Sequence, residues 1–485
     1  MKVCGLYGAG FYYVPGTDVC LKIGGFLRTE WNYNAGGSLT TFTNGANALF
    51  SRGGDNIASR SRGVVSFDVR DQTDYGTVRA YIAGGWQYTS NDAPTLSLSG
   101  LSVPAAGGGA VAGGAPNANG NTYLLRAFVQ FAGFTLGKTA SFFDFFSTAK
   151  YTYQTNFLWQ EYAGVGVNTW GYTQELGNGI SASVAVQDNT QFAHPVKDLN
   201  AAPVAGTIAG FGTIFPILAA GGPTNGPWDN SGNQVPDIVG NLRIDQAWGT
   251  AQVMGGLHDN RARYYESTAN GIAAGGSYPS DKWGYAAGAG FELNLPWVKG
   301  DSFAVQSQYC VGYSESCYNN SGSRQADLAW GLVNSGTKIG LGWVDDAYLA
   351  NSAATGATGL QLPTMWNIVA AVQHYWMPTL RTSLYGAYVN YKADSSAVDT
   401  LVCAPSGLSS GCADWAAWQI GSRTVWNPVK NLDIGVEALY SDLSKSAFNG
   451  ATVAFAPTSA AINKYTVGST NVVSGIMRVQ YNFYP

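Results

Sequence analysis

The sequence predicts an all-β fold, a sixteen-stranded antiparallel transmembrane β-barrel with long extracellular loops and short periplasmic turns. Three observations predict it. Apolar residues recur at every second position in sixteen segments. The links between those segments alternate between very short and very long. The composition also lacks the charge expected of a soluble chain: only 12% of the 485 residues are Asp, Glu, Lys or Arg, about half the usual share. Glycine numbers 63 and aromatics reach 13%. A soluble helical enzyme would want charged helix faces and few glycines inside its elements.

The period-two segments fall near 20–32, 60–71, 75–88, 122–132, 134–143, 168–176, 179–190, 238–247, 249–259, 282–294, 301–314, 365–376, 379–392, 414–426, 432–443 and 471–483. In the first, Lys22, Arg28 and Glu30 share one parity, with Phe26 among them, while Ile23, Leu27 and Trp31 share the other. The second sets Arg62, Asp68 and Arg70 against Val65, Phe67 and Val69; the third sets Arg79 and Tyr81 against Val78, Ile82 and Trp86. In the fourth, Arg126, Phe128 and Gln130 oppose Leu125, Val129 and Phe131; in the last, Ser474, Arg478 and Asn482 oppose Met477, Val479 and Tyr481. Such alternation follows when one sheet face is wet and the other apolar.

A β-sandwich alternates in the same way, and the links separate the two. Tight turns are expected at 71–74, 176–179, 295–300, 376–378 and 426–431, with near-immediate reversals at Gly133 and Trp248. The other links are long and rich in Gly, Ser, Asn, Ala and Pro. Soluble domains seldom carry structureless loops of that length, whereas outer-membrane barrels pair short periplasmic turns with long extracellular loops. In a bilayer every backbone N–H and C=O must be paired, which only a closed barrel of strands achieves. Trp376 and Trp426, each two residues before a Pro, are expected in a lower aromatic girdle, and Trp31, Trp86 and Trp283 in an upper one. Turning one arginine lipidward near mid-membrane costs roughly 2–4 kcal/mol, so Arg28, Arg79 and Arg126 belong in the lumen.

Other classes are weakened by composition. A net charge of −4 leaves no basic footprint for nucleic acid. The six cysteines form three close pairs, Cys4 with Cys20, Cys310 with Cys317 and Cys403 with Cys412. None has metal or redox spacing, so local disulfides in a non-cytoplasmic compartment are expected. The opening MKVCGLYGAGFYYV has no continuous apolar core and no small-residue cleavage site, so the chain is read as a mature one without its signal peptide. The apolar stretch 204–222 carries five Gly and Pro216 and is read as a loop, not a spanning helix.

The blocks VCGLYGAGFYYVPGTDVCLKIGGFLR (3–28), RAFVQFAGFTLGKTASFFDFF (126–146), PDIVGNLRIDQAWGTAQ (236–252) and WNPVKNLDIGVEALYS (426–441) resemble the general porins of alphaproteobacteria. The resemblance implies a homotrimer of sixteen-stranded barrels, a third loop folded into the lumen and passive diffusion of small hydrophilic solutes. It also implies the outer membrane of a Gram-negative bacterium, in contact with lipid and lipopolysaccharide. Such chains commonly close on a terminal aromatic; here Phe483 is followed by Tyr484 and Pro485.

Residues 1–19 are then an N-terminal segment tethered to a barrel over 20–485, with 143–167 as the infolded constriction loop. That loop is unusually aromatic, with Phe142, Phe143, Phe145, Phe146, Phe157 and Trp159 in or beside it, which packing against an inner wall would explain. It would present Asp144 and Glu161 to a constriction faced by Arg28, Arg79 and Arg126. Lys22, Glu30, Arg62, Asp68, Arg70 and Tyr81 would line the pore beyond it. Opposed charges across a narrow eyelet give a transverse field that salt screens only beyond ~10 Å at 0.1 M. The lumen arginines could instead hold the wall together by pairing with Glu30, Asp68 or the loop acids. No cofactor or metal is expected: DNSGNQVPD (229–237) has the Asp, Asn and Gly content of a calcium loop but too few acids. The tract 91–121 is of low complexity and reads as an exterior loop. A substrate-specific, saturable channel is the main rival function. A surface adhesin or a barrel enzyme ranks lower, since no His lies in a GxSxG or HExxH context.

Overall fold

The structure is a computed structural model and describes residues 3–34, 57–89, 120–145, 148–153, 166–188, 190, 192–199, 231–263, 278–318, 328–334, 338–350, 359–404, 406–455 and 463–483. The apolar stretch 204–222, Glu161 and nearly all of the tract 91–121 lie outside the described residues. No helix among the described residues is long and apolar enough to cross a membrane.

Sixteen strands pair antiparallel into a closed barrel. They are β1 (Cys20–Tyr33), β2 (Ile57–Thr73), β3 (Gly76–Thr89), β4 (Gly120–Phe131), β5 (Phe134–Thr139), β6 (Val167–Gly177), β7 (Ile180–Asp188) and β8 (Asp237–Gln246). They continue as β9 (Gly249–Asn260), β10 (Lys282–Asn294), β11 (Ser302–Val311), β12 (Thr364–Met377), β13 (Leu380–Lys392), β14 (Trp415–Trp426), β15 (Leu432–Lys445) and β16 (Thr470–Asn482). β1 closes the ring on β16, from Phe26 opposite Asn482 to Tyr33 opposite Gly475. Every strand thus has two partners, so the backbone presents no edge to lipid.

The two faces separate as the alternation requires. On β1, Ile23, Leu27 and Trp31 are exposed on the outside while Glu30 and Asn32 are buried within. The girdle tryptophans Trp31, Trp86, Trp283, Trp376 and Trp426 are all exposed. Among the tight turns, the β6–β7 link puts both Asn178 (φ 51°) and Gly179 (φ 72°) in the left-handed region. That is the geometry of a two-residue hairpin turn. A side chain on Gly179 would also run into the Asp245 carbonyl oxygen.

Several strand ends shift by a few residues from the sequence expectation, and three features change what a residue does. β2 continues to Thr73, because Asp71, Gln72 and Thr73 stay paired with Val78, Thr77 and Gly76, which moves the turn to Asp74–Tyr75. β5 ends at Thr139 instead of 143, where Phe142 and Phe143 leave the wall. β4 carries a bulge: Ala83 opposes Arg126 but Gly84 opposes Leu124. The extra residue flips parity, so Leu124, not Leu125, is the leucine exposed outside.

At the long-loop end, several links pack into a cap. Leu328–Asn334 pairs antiparallel with Lys338–Trp343, which pairs parallel with Asn463–Val467. Ala347–Leu349 pairs parallel with Val196–Asp198. Trp330, Trp343, Trp415, Tyr391, Leu443 and Phe448 are buried in one cluster beneath, an aromatic core of the kind that stabilises soluble domains. All three cysteine pairs are bonded, with Cα separations of 6.0 Å for Cys4–Cys20, 6.1 Å for Cys310–Cys317 and 5.7 Å for Cys403–Cys412. At the opposite, short-turn end, the N-terminal segment folds back so that Tyr12–Tyr13 pairs with Cys20 and Leu21.

Candidate functional site

Inward-facing side chains of β1–β5 form a basic wall. Arg28 lies opposite Arg62 in the β1–β2 register. Both bond neutral partners: Arg28 Nε donates to Gln480 at 2.7 Å and Arg62 to Gln87 at 2.7 and 3.0 Å. The Arg28 guanidinium also lies 4.7 Å from the Phe26 ring centroid, and that of Arg62 lies 5.2 Å from Tyr123. Arg126 donates to the Leu125 carbonyl at 2.7 Å. A β-carbon on Gly166, where the β5–β6 link returns to the wall, would sit 2.8 Å from its Nη1. That glycine has φ +76°, so both its backbone and the approach of Arg126 require it.

Nearer the short turns the pattern changes. Asp68 is clamped by Arg70 at 2.9 Å and Arg79 at 3.0 Å. Arg79 also donates to Gln130 at 3.0 Å and lies over the stacked Tyr81 and Phe128 rings. Arg70 packs over Phe11 of the N-terminal segment, and Lys22 reaches the Ala9 carbonyl oxygen. Two heights therefore differ from the sequence reading. Arg79, expected at the constriction with Arg28, is three residues from the start of its strand and pairs in register with Arg70, whereas Arg62, expected beyond the constriction, is level with Arg28.

The link between β5 and β6 meets the opposite side of the barrel, at inward-facing residues of β8–β11 and β14–β16. Asn241 donates to the Phe142 carbonyl oxygen at 2.6 Å, and Gln252 to that of Asp144 at 3.0 Å. Phe143, Phe145, Tyr151 and Tyr153 are buried. Gly290 makes room for the Phe145 ring, which a β-carbon there would meet at 2.6 Å. Lys150 pairs with Glu292, and Tyr151 Oη lies 3.0 Å from Ser302 Oγ. Glu437 accepts from Thr152 Oγ1 at 3.0 Å and from the Tyr153 amide at 2.7 Å. Arg423 donates to the Ala149 carbonyl at 3.0 Å and also to that of Lys150. The Tyr153 ring is covered by the guanidinium of Arg423 at 4.8 Å and that of Arg478 at 4.1 Å. Arg478 in turn bonds Glu30 at 2.6 Å.

Among the expected site residues, Arg28, Arg62 and Arg126 thus share one wall, Arg70, Arg79, Asp68 and Tyr81 form a lower cluster, and Glu30 is committed to Arg478. Asp144 is half-buried on the loop. Sequence reasoning missed Arg423 and Glu437, which hold the loop, and gave Arg478 a face but no task. The available signal was parity: Arg423 and Glu437 each lie three or one residues from an exposed apolar side chain, Ile420 and Val436, on the opposite face.

A model of the porin subfamily matches residues 1–476. The chain belongs to that family. Porin Omp2a of Brucella canis is 26% identical over 235 residues, 45% of this chain and 58% of its own length. Porin Omp2b of Brucella suis is 23% identical over 253 residues, 52% and 55% of the two chains. The match thus spans little more than half of these relatives. Among solved structures, the outer-membrane channel DcaP of Acinetobacter baumannii superposes with a TM-score of 0.59 at 12% identity, covering 97% of this chain and 99% of that one. Its likeness is one of fold. Family, closed barrel and apolar outer band together place the chain in the outer membrane of a Gram-negative bacterium.

Proposed function

We propose that this porin-family chain forms a water-filled channel through which small hydrophilic solutes and ions diffuse passively. The observation that carries the proposal is the pairing of an apolar outer face with an inner face lined by arginine, glutamine, asparagine, serine, threonine and carboxylate groups in a closed barrel. A lumen so lined is wet, and its wall groups are stable only against water or one another. Loop 143–167 acts as the constriction: its apolar side chains anchor it to β8–β11 and β14–β16, leaving Arg28, Arg62 and Arg126 to face the remaining passage. Because Arg28 and Arg62 bond glutamines and not carboxylates, the passage is positive and favours anions. Asp144 and Glu161 supply the opposing charge, and the family resemblance supports assembly as a homotrimer. Family and relatives point to a channel and not to an enzyme.

Reconstitution of the detergent-solubilised protein in a planar bilayer tests this. Stepwise, ohmic conductance that grows with salt concentration is expected. A protein that inserts but carries no current would overturn the proposal. Flux that saturates with one solute would instead favour the substrate-specific reading, for which the Tyr81–Phe128 stack beside Arg79 is the specific support.

A further inference from the structure

Where β1, β2 and the start of β4 face the lumen, the inner wall carries a set of donors that the sheet itself does not call for. Arg28 and Arg62 are direct register partners on one face. Like charges directly opposite one another weaken a strand pair, so the barrel gains nothing from this juxtaposition. The partners they have leave much of each fork over. Arg28 uses only Nε, on Gln480, and Arg62 uses Nε and Nη2 on the one oxygen of Gln87. Both terminal nitrogens of Arg28 and Nη1 of Arg62 therefore meet no hydrogen-bond acceptor among the described residues. Glu30 acts on Arg28 through space, but its carboxylate is bonded by Arg478 at 2.6 Å.

Tyr123 is the second observation. The Arg62 guanidinium lies over its ring, 5.2 Å from the centroid, and the phenol is within electrostatic reach of Arg62, Arg28 and Arg60. Gly85 on β3 makes the room: a β-carbon there would come within 3.1 Å of the Tyr123 hydroxyl oxygen. That oxygen is buried, yet it has no hydrogen-bond partner among the described residues. Buried polar atoms are nearly always paired, so an orphan asks for a partner from outside the chain. A phenol donates one hydrogen bond, and guanidinium forks match the spacing of oxygens on phosphate and carboxylate groups. Two charged forks and one neutral donor, from three strands, are thus gathered at one place on the wall.

We propose that Arg28, Arg62 and Tyr123 form a binding site for a small tetrahedral oxyanion of the phosphate class, at which that solute pauses as it crosses the lumen. The inference rests on the reading of the lumen as an ion path and adds recognition to it. Three oxygens of one anion suit two forks and a hydroxyl. A site in an ion path must also release its ligand, so binding is weak and exchange fast. A positive field alone would draw every anion alike; forks and a hydroxyl would not.

The purified protein in a planar bilayer, carrying current in KCl, is titrated with inorganic phosphate and, at equal ionic strength, with acetate. Phosphate should reduce the current in a saturable manner and acetate should not. Arg28→Lys and Arg62→Lys keep the charge but lose the fork, and each should raise the half-blocking concentration roughly tenfold. Tyr123→Phe removes a hydroxyl and no charge, and should raise it about fivefold. His374→Ala, which removes the His374–Asp301 pair elsewhere in the barrel, should leave it where it was. Heat-modifiable migration on gels checks that each variant is a folded barrel. Equilibrium dialysis of the detergent-solubilised wild type against labelled phosphate reads the same site without any current. Saturable uptake, displaced by sulfate and not by acetate, is expected. A protein that conducts KCl but ignores phosphate would overturn this inference and leave the channel standing; one that takes up phosphate but carries no current would do the reverse. Equal action of acetate, or Lys and Phe variants that respond to phosphate like the wild type, would also overturn it.

Discussion

Arg28 and Arg478 lie on adjacent strands, on the same inward face, and Arg28 stands opposite Gln480, two residues along from Arg478. Their situations are nevertheless opposite. Arg478 is buried, bonded to Glu30 and pressed against Tyr153 of the loop. Arg28 has a glutamine as partner and, among the described residues, no carboxylate within salt-bridge distance. The difference teaches that parity assigns a face, whereas the residue met across the barrel assigns a role. One arginine becomes part of a loop anchor because the loop arrives there; the other faces the passage the loop leaves open.

The comparison breaks most severely at the anchor. Arg478→Ala removes one charge partner of buried Glu30 and the cation packed over Tyr153, a change that costs up to about 3–5 kcal/mol. The folded barrel should therefore convert to the heat-denatured form on gels at a distinctly lower temperature than the wild type, and with the loop released its single-channel conductance should rise. Unchanged values of both would mean that the Glu30–Arg478–Tyr153 contacts do not hold the loop.

The open wall should respond in selectivity and not in stability. An ion passing roughly 7 Å from a unit charge in water feels about 0.6 kcal/mol, comparable with RT, and salt screens part of that. Arg28→Ala with Arg62→Ala should thus move the cation-to-anion permeability ratio about twofold per charge removed, read as reversal potential under a KCl gradient. A ratio that stays put would take both arginines out of the ion path.

The smallest effect is expected at the short-turn cluster. Arg70→Ala removes one of two arginines on Asp68, a partly exposed pair whose loss costs less than about 1 kcal/mol while Arg79 remains. A thermal shift as large as that of Arg478→Ala would show that the N-terminal segment packed over Arg70 matters more than the ion pair.

The barrel was largely legible in the sequence because a bilayer imposes one rule on every residue of every strand. Ile23, Leu27 and Trp31 point outward for the same reason that Met477 and Tyr481 do, so each strand repeats the evidence of the last. The bulge at Leu125 was not legible, because an extra residue changes parity without changing composition. The loop's anchors were harder still. Glu437 and Tyr153 are 284 residues apart, and no local pattern links a carboxylate on β15 to an amide in the link after β5. The aromatic excess of the loop announced that it packs against something; which strands receive it depends on the curvature of the whole ring.

Closure of the ring has a temporal side as well. The Glu30–Arg478 bond joins groups 448 positions apart, and the strand that supplies Arg478 is the final one to leave any machinery that threads the chain from its N-terminus. Contacts so distant along a polypeptide are slow to form. Until they do, the first strand waits with an open hydrogen-bonding edge, so whatever escorts the unfinished chain must shelter that edge until the end arrives.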